Sequence, residues 1–335
     1  MSKFKKIVIT IISIIIIIPL CLFGYLKYKM KNMTVTSDYI SQVGEVDGIK
    51  NILLLGADKR ASDTNFRTDS MMILTIDNNN KNIKLTSLAR DTYVNIPGKG
   101  MGKLNTAYFW GREKLLFETI EKEFNIGLDK YVLVDFNSLM DIIYALDGVE
   151  VDVKKSELKQ LNKYIPECYK FCKNKKRGTM KLIKKPGKQI LNGYQALSYT
   201  RIRKNDSAIN RDQRQRKVIN AIIKKYKDTS IIKYPALIDS LTPYVTTNLS
   251  VEEILQIVYT ANNIFSQKQL KEAFLEGQFP IIDDIHSKGG KYKNAGWVFL
   301  YDINSTVVLR DFIYSNVPMK ENDYMKDNTN ITLNY

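Results

Sequence analysis

The chain of 335 residues is 44% hydrophobic and 26% charged, as is ordinary for a folded protein. Its net charge of +16 is uneven: residues 154–188 hold thirteen Lys or Arg against two Glu, and residues 201–225 hold nine against two Asp. Such blocks indicate an anionic partner, either a nucleic acid or an anionic lipid or polymer. With one histidine, His286, and no Walker, G-x-S-x-G or H-E-x-x-H motif, nothing else supports Ser-His-Asp chemistry.

Residues 7–26 form an uncharged run of 20 residues, enough to cross a bilayer core of about 30 Å. A cleaved signal peptide would have a shorter apolar core and a small-residue cleavage site, which this run lacks. The prediction is therefore an uncleaved single-span anchor, which argues against a nucleic-acid partner. Lysines lie on both sides of the span, so charge alone leaves its orientation open. Residues 1–6 are then a short tail, and residues 27–48 a polar stalk.

A folded domain is predicted over residues 49–315, with a polar, frayed tail at 316–335. Strands alternate with helices, which predicts an α/β fold with a central mixed sheet. Residues 154–188, by contrast, are predicted to be a basic, loop-like insertion. Strands are predicted at Ile52–Leu55, Met71–Ile76, Ile83–Leu88, Tyr131–Asp135 and Val149–Val153, and strands or extended pieces at Gln278–Ile282, Gly296–Tyr301 and Thr306–Leu309. Helices are predicted at 105–124 (capped by Asn105), Ser138–Leu146, from Asn210, and at Val251–Ile264.

Polar clusters lie where the first three strands begin or end. They hold Asp58 after the first strand, Arg67 and Asp69 before the second, and Arg90 after the third. Carboxylate oxygens hold a hard cation such as Mg²⁺ or Mn²⁺, and Arg forks neutralise phosphoryl oxygens. The alternative is that these residues are only solvated strand tips.

A second dense stretch runs from Leu191 to Tyr226. After a short helix, Thr200–Arg203 is predicted to be extended, with Arg201 and Arg203 on one face. In the next helix Arg211 and Gln215 fall on the apolar side. A guanidinium there costs several kcal/mol unless paired, so Arg211 must have a carboxylate partner or line a cleft for an anion. Arg214 and Arg216 flank that side and are predicted to be surface charges.

Six blocks, in this order, resemble the LytR-CpsA-Psr (LCP) family. The resemblance is dense over residues 48–230 and looser to about 315. The blocks are Asn51–Gly56 with Asp58 and Arg60, Arg67–Met72, Ser87–Thr92, Lys103–Tyr108, Asp147–Val149, and Leu191–Arg203 continuing through Arg211, Arg214 and Gln215.

The resemblance implies a central mixed sheet flanked by helices, outside the cytoplasmic membrane of a Gram-positive-type bacterium. The implied activity is transfer of a phosphorylated glycopolymer, such as teichoic acid or capsule, from a polyprenyl pyrophosphate carrier to peptidoglycan. Asp58 and Asp69 would hold Mg²⁺. The implied catalytic residues are Asp69, Arg90 and Arg203, and the implied pyrophosphate ligands are Arg67, Arg90, Arg201, Arg203, Arg211 and Gln215.

Several alternatives stay open. Leu116, Phe117 and Ile120 could line a polyprenyl tunnel or pack in the core. Two positions depart from the family pattern: Ala89 replaces a usual Pro, and Ala208 replaces a common Asp, for which Asp206 could substitute. The same site residues would also serve a polyprenyl pyrophosphate hydrolase, and a non-catalytic regulatory protein is a third reading. Cys168 and Cys172, four residues apart, could form a disulfide or be free thiols; a zinc site would need two more ligands.

Overall fold

The computed structural model describes residues 24–31, 35, 37–57, 66–202, 208–227, 245–328, 331 and 333. Within them the central sheet has six strands in the order β10-β3-β2-β1-β6-β9, and three two-stranded sheets lie outside it. The strands are β1 Ile49–Ala57, β2 Thr68–Asp77, β3 Asn82–Leu88, β4 Tyr93–Ile96, β5 Gly100–Lys103, β6 Tyr131–Asp135, β7 Val149–Val153, β8 Gly187–Leu191, β9 Val245–Thr247, β10 Phe274–Phe279, β11 Ser287–Lys291 and β12 Trp297–Tyr301.

The central sheet is mixed, as predicted. β2 pairs antiparallel with β1 and β3, β9 pairs antiparallel with β6, and β6 and β10 run parallel to β1 and β3. Helices cover both of its faces. The helices are α1 at residues 24–30, α2 Leu104–Phe124, α3 Phe136–Ala145, α4 Lys155–Phe171, α5 Gly193–Thr200, α6 Ala208–Lys227, α7 Val251–Gln267, α8 Leu270–Ala273, α9 Thr306–Tyr314 and α10 Asp323–Asp327.

Strand alternation divides the apolar residues of the sheet between two layers. Leu53 and Leu55 of β1 face α2 and belong to the largest buried cluster. Leu54 points to the opposite face, and its partners across the strands are Met72 and Val132. These two layers are why β1 and β2 are apolar almost without interruption.

The predicted strand Val149–Val153 is confirmed as β7, which pairs with β8 outside the central sheet. Three other local predictions were wrong. Residues 155–171 form a helix rather than a loop, because Leu161, Ile165 and Cys168 give it a buried stripe. Residues 306–309 begin a helix, and the predicted cap Asn105 lies inside α2, whose N-cap is Lys103.

The C-terminal tail also differs from the frayed segment that was predicted. Its described part contains the short helix α10, and Asn322 is buried, donating from Nδ2 to Asp311 Oδ2 at 2.8 Å. This polar contact holds the tail against α9.

The predicted anchor at residues 7–26 lies mostly outside the described residues. In the described part of the chain no helix has the length and hydrophobicity to cross a membrane. Of α1, Leu26 and Met30 are buried in a small cluster with Val245 and Val251. The last turns before the stalk therefore pack on the domain.

The buried ion pair between Lys84 and Asp77 gives a stability prediction. Both side chains are 0% exposed, and Lys84 Nζ lies 2.7 Å from Asp77 Oδ2 and donates to the Ile313 carbonyl at 2.8 Å. Lys84→Met leaves Asp77 as an uncompensated buried charge, so the free energy of unfolding should fall by about 3–5 kcal/mol in denaturant titration. The surface variant Lys122→Met, which breaks the exposed pair with Glu118, should lose at most about 0.5 kcal/mol. Equal effects of the two variants would contradict this account.

Candidate active site

The polar clusters at the start of β2 and after β3 meet at one edge of the sheet. The end of β1 lies beside the start of β2, with Gly56 opposite Ser70, and Met72 of β2 lies opposite Ser87 near the end of β3. A Cβ on Gly56 would come within 2.9 Å of the Ser70 Cβ, so a glycine is needed where these strands approach. Of the predicted residues, Asp58, Arg203 and Asp206 lie outside the described residues.

A chain of alternating charges lies at this edge. Arg90 Nη1 is 2.6 Å from Asp69 Oδ1, and Arg90 Nε is 3.2 Å from Asp91 Oδ2. Lys103 Nζ extends the chain, 2.9 Å from Asp91 Oδ1. Burial alone would lower the pKa of Arg90, but the two carboxylates outweigh it and raise that pKa above its ordinary value. Arg90 is therefore a fixed positive charge with one fifth of its side chain exposed.

Arg211 of α6 reaches the same edge. It is buried, its Nη2 donates to the backbone carbonyl of Asp69 at 3.3 Å, and it lies 3.5 Å from Asp212 Oδ1. The first of the two alternatives for Arg211 is confirmed, because it has the buried carboxylate neighbour Asp212; its role toward an anion stays a prediction. The contact with the Asp69 carbonyl brings a cation of α6 beside the Arg90–Asp69 pair.

The prediction of surface positions for Arg214 and Arg216 was wrong, because both are buried. Arg216 donates to Ser87 Oγ at 2.5 Å and to Gln278 Oε1 at 2.8 Å, which joins α6 to β3 and β10. Arg214 Nη1 lies 3.3 Å from Glu157 Oε1 of α4. Other elements cover α6 on several sides, so residues outside its single apolar face are buried as well. Asp212, Arg216 and Asn220 are four residues apart and share one face of the helix. This polar spacing was the sequence signal for a second contact face.

Arg201 packs against α3 and α4. Thr200 and Arg201 are not extended, since Thr200 ends α5 and Arg201 is its helical C-cap, so the predicted strand geometry was wrong. The guanidinium pairs with Glu167 at 3.0 Å and stacks over the rings of Phe136 and Tyr164. Arg67, which is exposed, lies over the ring of Phe109 at 5.7 Å.

An apolar pocket of about 280 Å³ opens between the sheet and helices α3, α5 and α6. Its walls come from the sheet face opposite α2, with Leu54, Met72 and Val132, and from the inner side of α6, with Val218 and Ile219. Its polar lining includes Asp69, Ser70, Thr200 and Gln215. The pocket therefore has a mainly apolar lining and includes Asp69, the carboxylate that pairs with Arg90.

Leu116, Phe117 and Ile120 are on the other side of the sheet. All three are 0% exposed and pack in the cluster that contains Leu53 and Leu55. Core packing, one of the two alternatives given above, accounts for their apolar character. A role in binding a polyprenyl tail stays a prediction.

Cys168 and Cys172 are free, buried thiols at the end of α4, so the disulfide alternative is not formed. Burial raises the pKa of the Cys168 thiol, although Arg201, 3.6 Å from its Sγ, acts against this. Cys172 Sγ lies 3.8 Å from the hydroxyl of Tyr144. Both side chains serve as core residues.

Comparison with known proteins shows the class to which this fold and site belong. The model of the LytR_cpsA_psr family matches residues 24–308, and the chain belongs to this family. It is 30% identical over 271 residues to the polyisoprenyl-teichoic acid–peptidoglycan teichoic acid transferase TagT of Bacillus subtilis, covering 76% of this chain and 80% of the relative. It is 31% identical over 294 residues to TagU of Enterococcus faecalis, a transferase of the same description, covering 83% and 89%.

Solved structures share the fold. The crystal structure of B. subtilis TagT matches with a TM-score of 0.62 at 26% identity, over 84% of this chain and 98% of that one. A structure described as TagT bound to LIIa-WTA gives a TM-score of 0.65 at the same identity and coverage. These likenesses agree with the mixed sheet and its two layers of helices.

Asp212 gives a pH prediction. Burial raises its pKa from 3.8 to about 6, although Arg211, Arg216 and Arg90 act against this. The folded state therefore binds this proton more tightly than the unfolded state, so this group's contribution to stability is lost as pH rises from about 4 to about 6. Relative to Asp212→Asn, wild-type protein should lose up to about 3 kcal/mol over that window in denaturant titrations. Parallel stability curves for the two proteins would contradict the assignment.

Proposed function

We propose that this protein transfers an anionic, phosphate-linked glycopolymer of the teichoic acid type from a polyprenyl pyrophosphate carrier to peptidoglycan. One observation carries the proposal: the apolar pocket of about 280 Å³ has Asp69 in its lining, and Arg90 and Arg211 contact that residue. A carrier with an apolar tail and a pyrophosphate head matches this site, because the tail suits the apolar walls and the head suits the arginines. The relatives named above are transferases of this kind.

The chemistry is phosphoryl transfer. An acceptor hydroxyl oxygen bonds to the phosphorus that carries the first sugar, and the anhydride P–O bond on its other side breaks. Polyprenyl monophosphate leaves with that electron pair, and the hydroxyl proton passes to a base. Negative charge grows on the phosphoryl oxygens, so fixed guanidinium groups accelerate the step. Arg90 suits this role, since Asp69 and Asp91 hold its guanidinium in place.

A divalent cation, Mg²⁺ or Mn²⁺, is part of the proposal. In the described part of the chain no three His, Cys, Asp or Glu side chains are grouped to hold a metal ion. Mg²⁺ usually takes one or two carboxylates plus substrate phosphates, and Asp69 supplies such a carboxylate at the pocket. Asp58 is the proposed second ligand. When bound, the ion would neutralise pyrophosphate oxygens.

The proposed location is the outer side of a cytoplasmic membrane, with residues 7–26 as a single span and the N-terminus inside. A polyprenyl carrier is confined to the bilayer, so a catalytic domain tethered there meets its substrate at high local concentration. The uncharged run of 20 residues supports this placement.

The first functional prediction concerns Arg90. Arg90→Ala should lower the rate of polymer transfer to peptidoglycan by about 10²–10³, the usual cost of removing one preorganised donor from charge stabilisation. Thermal unfolding should show a folded protein, and the control Arg310→Ala in α9 should keep its activity. Transfer at the wild-type rate by Arg90→Ala would sink the proposal.

The same assay separates transfer from hydrolysis, the main alternative. In the presence of peptidoglycan, the polymer should appear covalently attached to the acceptor, together with polyprenyl monophosphate. Release of free polymer at equal rates with and without peptidoglycan would instead assign a hydrolase.

A second functional prediction concerns the apolar pocket. Ile219→Trp fills the pocket, so it should weaken binding of a long-chain polyprenyl pyrophosphate at least about tenfold in calorimetry, while inorganic pyrophosphate binds as before. Leu255→Trp, at an exposed position of α7, is the matched control. Equal weakening of both ligands, or of neither, would place the tail elsewhere.

A further inference from the structure

A second cleft, of about 460 Å³, lies between α4 and α6. Its volume falls within the range of about 300–1,000 Å³ that is common for small-ligand sites. Unlike the apolar pocket, it is lined largely by polar side chains. They are Lys154, Ser156, Glu157, Lys159, Gln160, Asn210, Gln213, Arg214 and Lys217, with Ile202 as the apolar exception.

The charge of this cleft is positive. Glu157 and Arg214 neutralise each other at 3.3 Å, with Arg214 and Glu157 side chains only 4% and 10% exposed. Lys154, Lys159 and Lys217 also line it, and in the described part of the chain none of their ammonium groups has an ion-pair partner. Three uncompensated cations around one concave surface favour a phosphate-bearing ligand.

The cleft also offers a hydrogen-bond acceptor. The side-chain oxygen of Gln160 is buried and accepts no hydrogen bond from any described residue. A buried acceptor without a donor is unfavourable, and because protein covers this oxygen, a ligand hydroxyl would reach it only when the Gln160 side chain turns into the cleft. A sugar hydroxyl or a protonated phosphate oxygen can donate to this acceptor, so it is the three lysines that favour a phosphate-bearing ligand.

Helix α6 places this cleft next to the active site. Asn210, Gln213, Arg214 and Lys217 face the cleft, while Arg211, Gln215 and Val218 face the apolar pocket and Asp69. Arg214 Nη2 also donates to the carbonyl of Ile202 at 3.0 Å, which ties α6 to the end of the Arg201 segment. The cleft and the apolar pocket are therefore separated by the width of α6.

We propose that this cleft binds the first phosphorylated repeats of the glycopolymer, with Lys159 and Lys217 on its phosphates and Gln160 on a sugar hydroxyl. This inference rests on the proposed function, because it assumes a polyprenyl-linked donor in the apolar pocket. The lysines would position the polymer and do not take part in the reaction. The sugars of the peptidoglycan acceptor are neutral, so three cations would attract them much less than they attract a phosphorylated polymer.

The test compares two probes by calorimetry at low salt, using the full chain in detergent. One probe is farnesyl pyrophosphate; the other is farnesyl pyrophosphate linked to a disaccharide that bears glycerol phosphates. Wild type should bind the extended probe more tightly, and the gain should shrink as salt screens the charges. Lys159→Ala/Lys217→Ala should weaken the extended probe about tenfold and leave farnesyl pyrophosphate unchanged.

The matched control is Lys184→Ala/Lys185→Ala, which removes the same charge from exposed positions of the same basic block outside the cleft. It should bind both probes as wild type does. Equal affinity of wild type for the two probes would overturn the inference while leaving the proposed function intact. Unchanged affinity of Lys159→Ala/Lys217→Ala for the extended probe would overturn it in the same way. If neither probe binds wild type, the proposed function falls and the inference with it.

Discussion

The ion pair between Arg90 and Asp69, at 2.6 Å, is the contact on which the site depends. It joins the end of β3 to the start of β2, and Arg211 adds α6 by donating to the carbonyl of Asp69. The pair is only partly exposed, so each charge needs the other when no substrate is bound. An anionic substrate can then pair with Arg90 in place of one oxygen of Asp69, because the guanidinium is already held in position.

Different faces of helix α6 line different parts of the structure. One face lines the apolar pocket, a second carries Arg216 to Ser87 of β3, and a third lines the basic cleft opposite α4. Few surfaces of such a helix are left to solvent, which is why three arginines in two turns are all buried. Buried guanidinium groups tolerate only a partner of matching geometry, so the helix is held in one position.

Much of the central sheet could be predicted from the sequence, because β1, β2 and β3 are short apolar runs bounded by polar clusters. The meeting of Asp69 and Arg90 follows from that pattern once the strands pair. The remaining features, namely α4 and the positions of Arg201 and Arg216, depend on tertiary contacts. The buried stripe of α4 lies within a stretch so basic that it suggests a loop, and the places of Arg201 and Arg216 depend on elements distant in sequence. Which face of the sheet has room for a tail depends on packing, since both faces are equally apolar.

The measurement that tests the central claim most directly is photo-crosslinking with a polyprenyl pyrophosphate that carries a diazirine along its tail. The account predicts labelled peptides from α3 and α6, whose side chains line the apolar pocket, and competition by unlabelled polyprenyl pyrophosphate. Labelling of α2 around Leu116 and Phe117, with α3 and α6 unlabelled, would contradict it and place the lipid on the opposite face of the sheet.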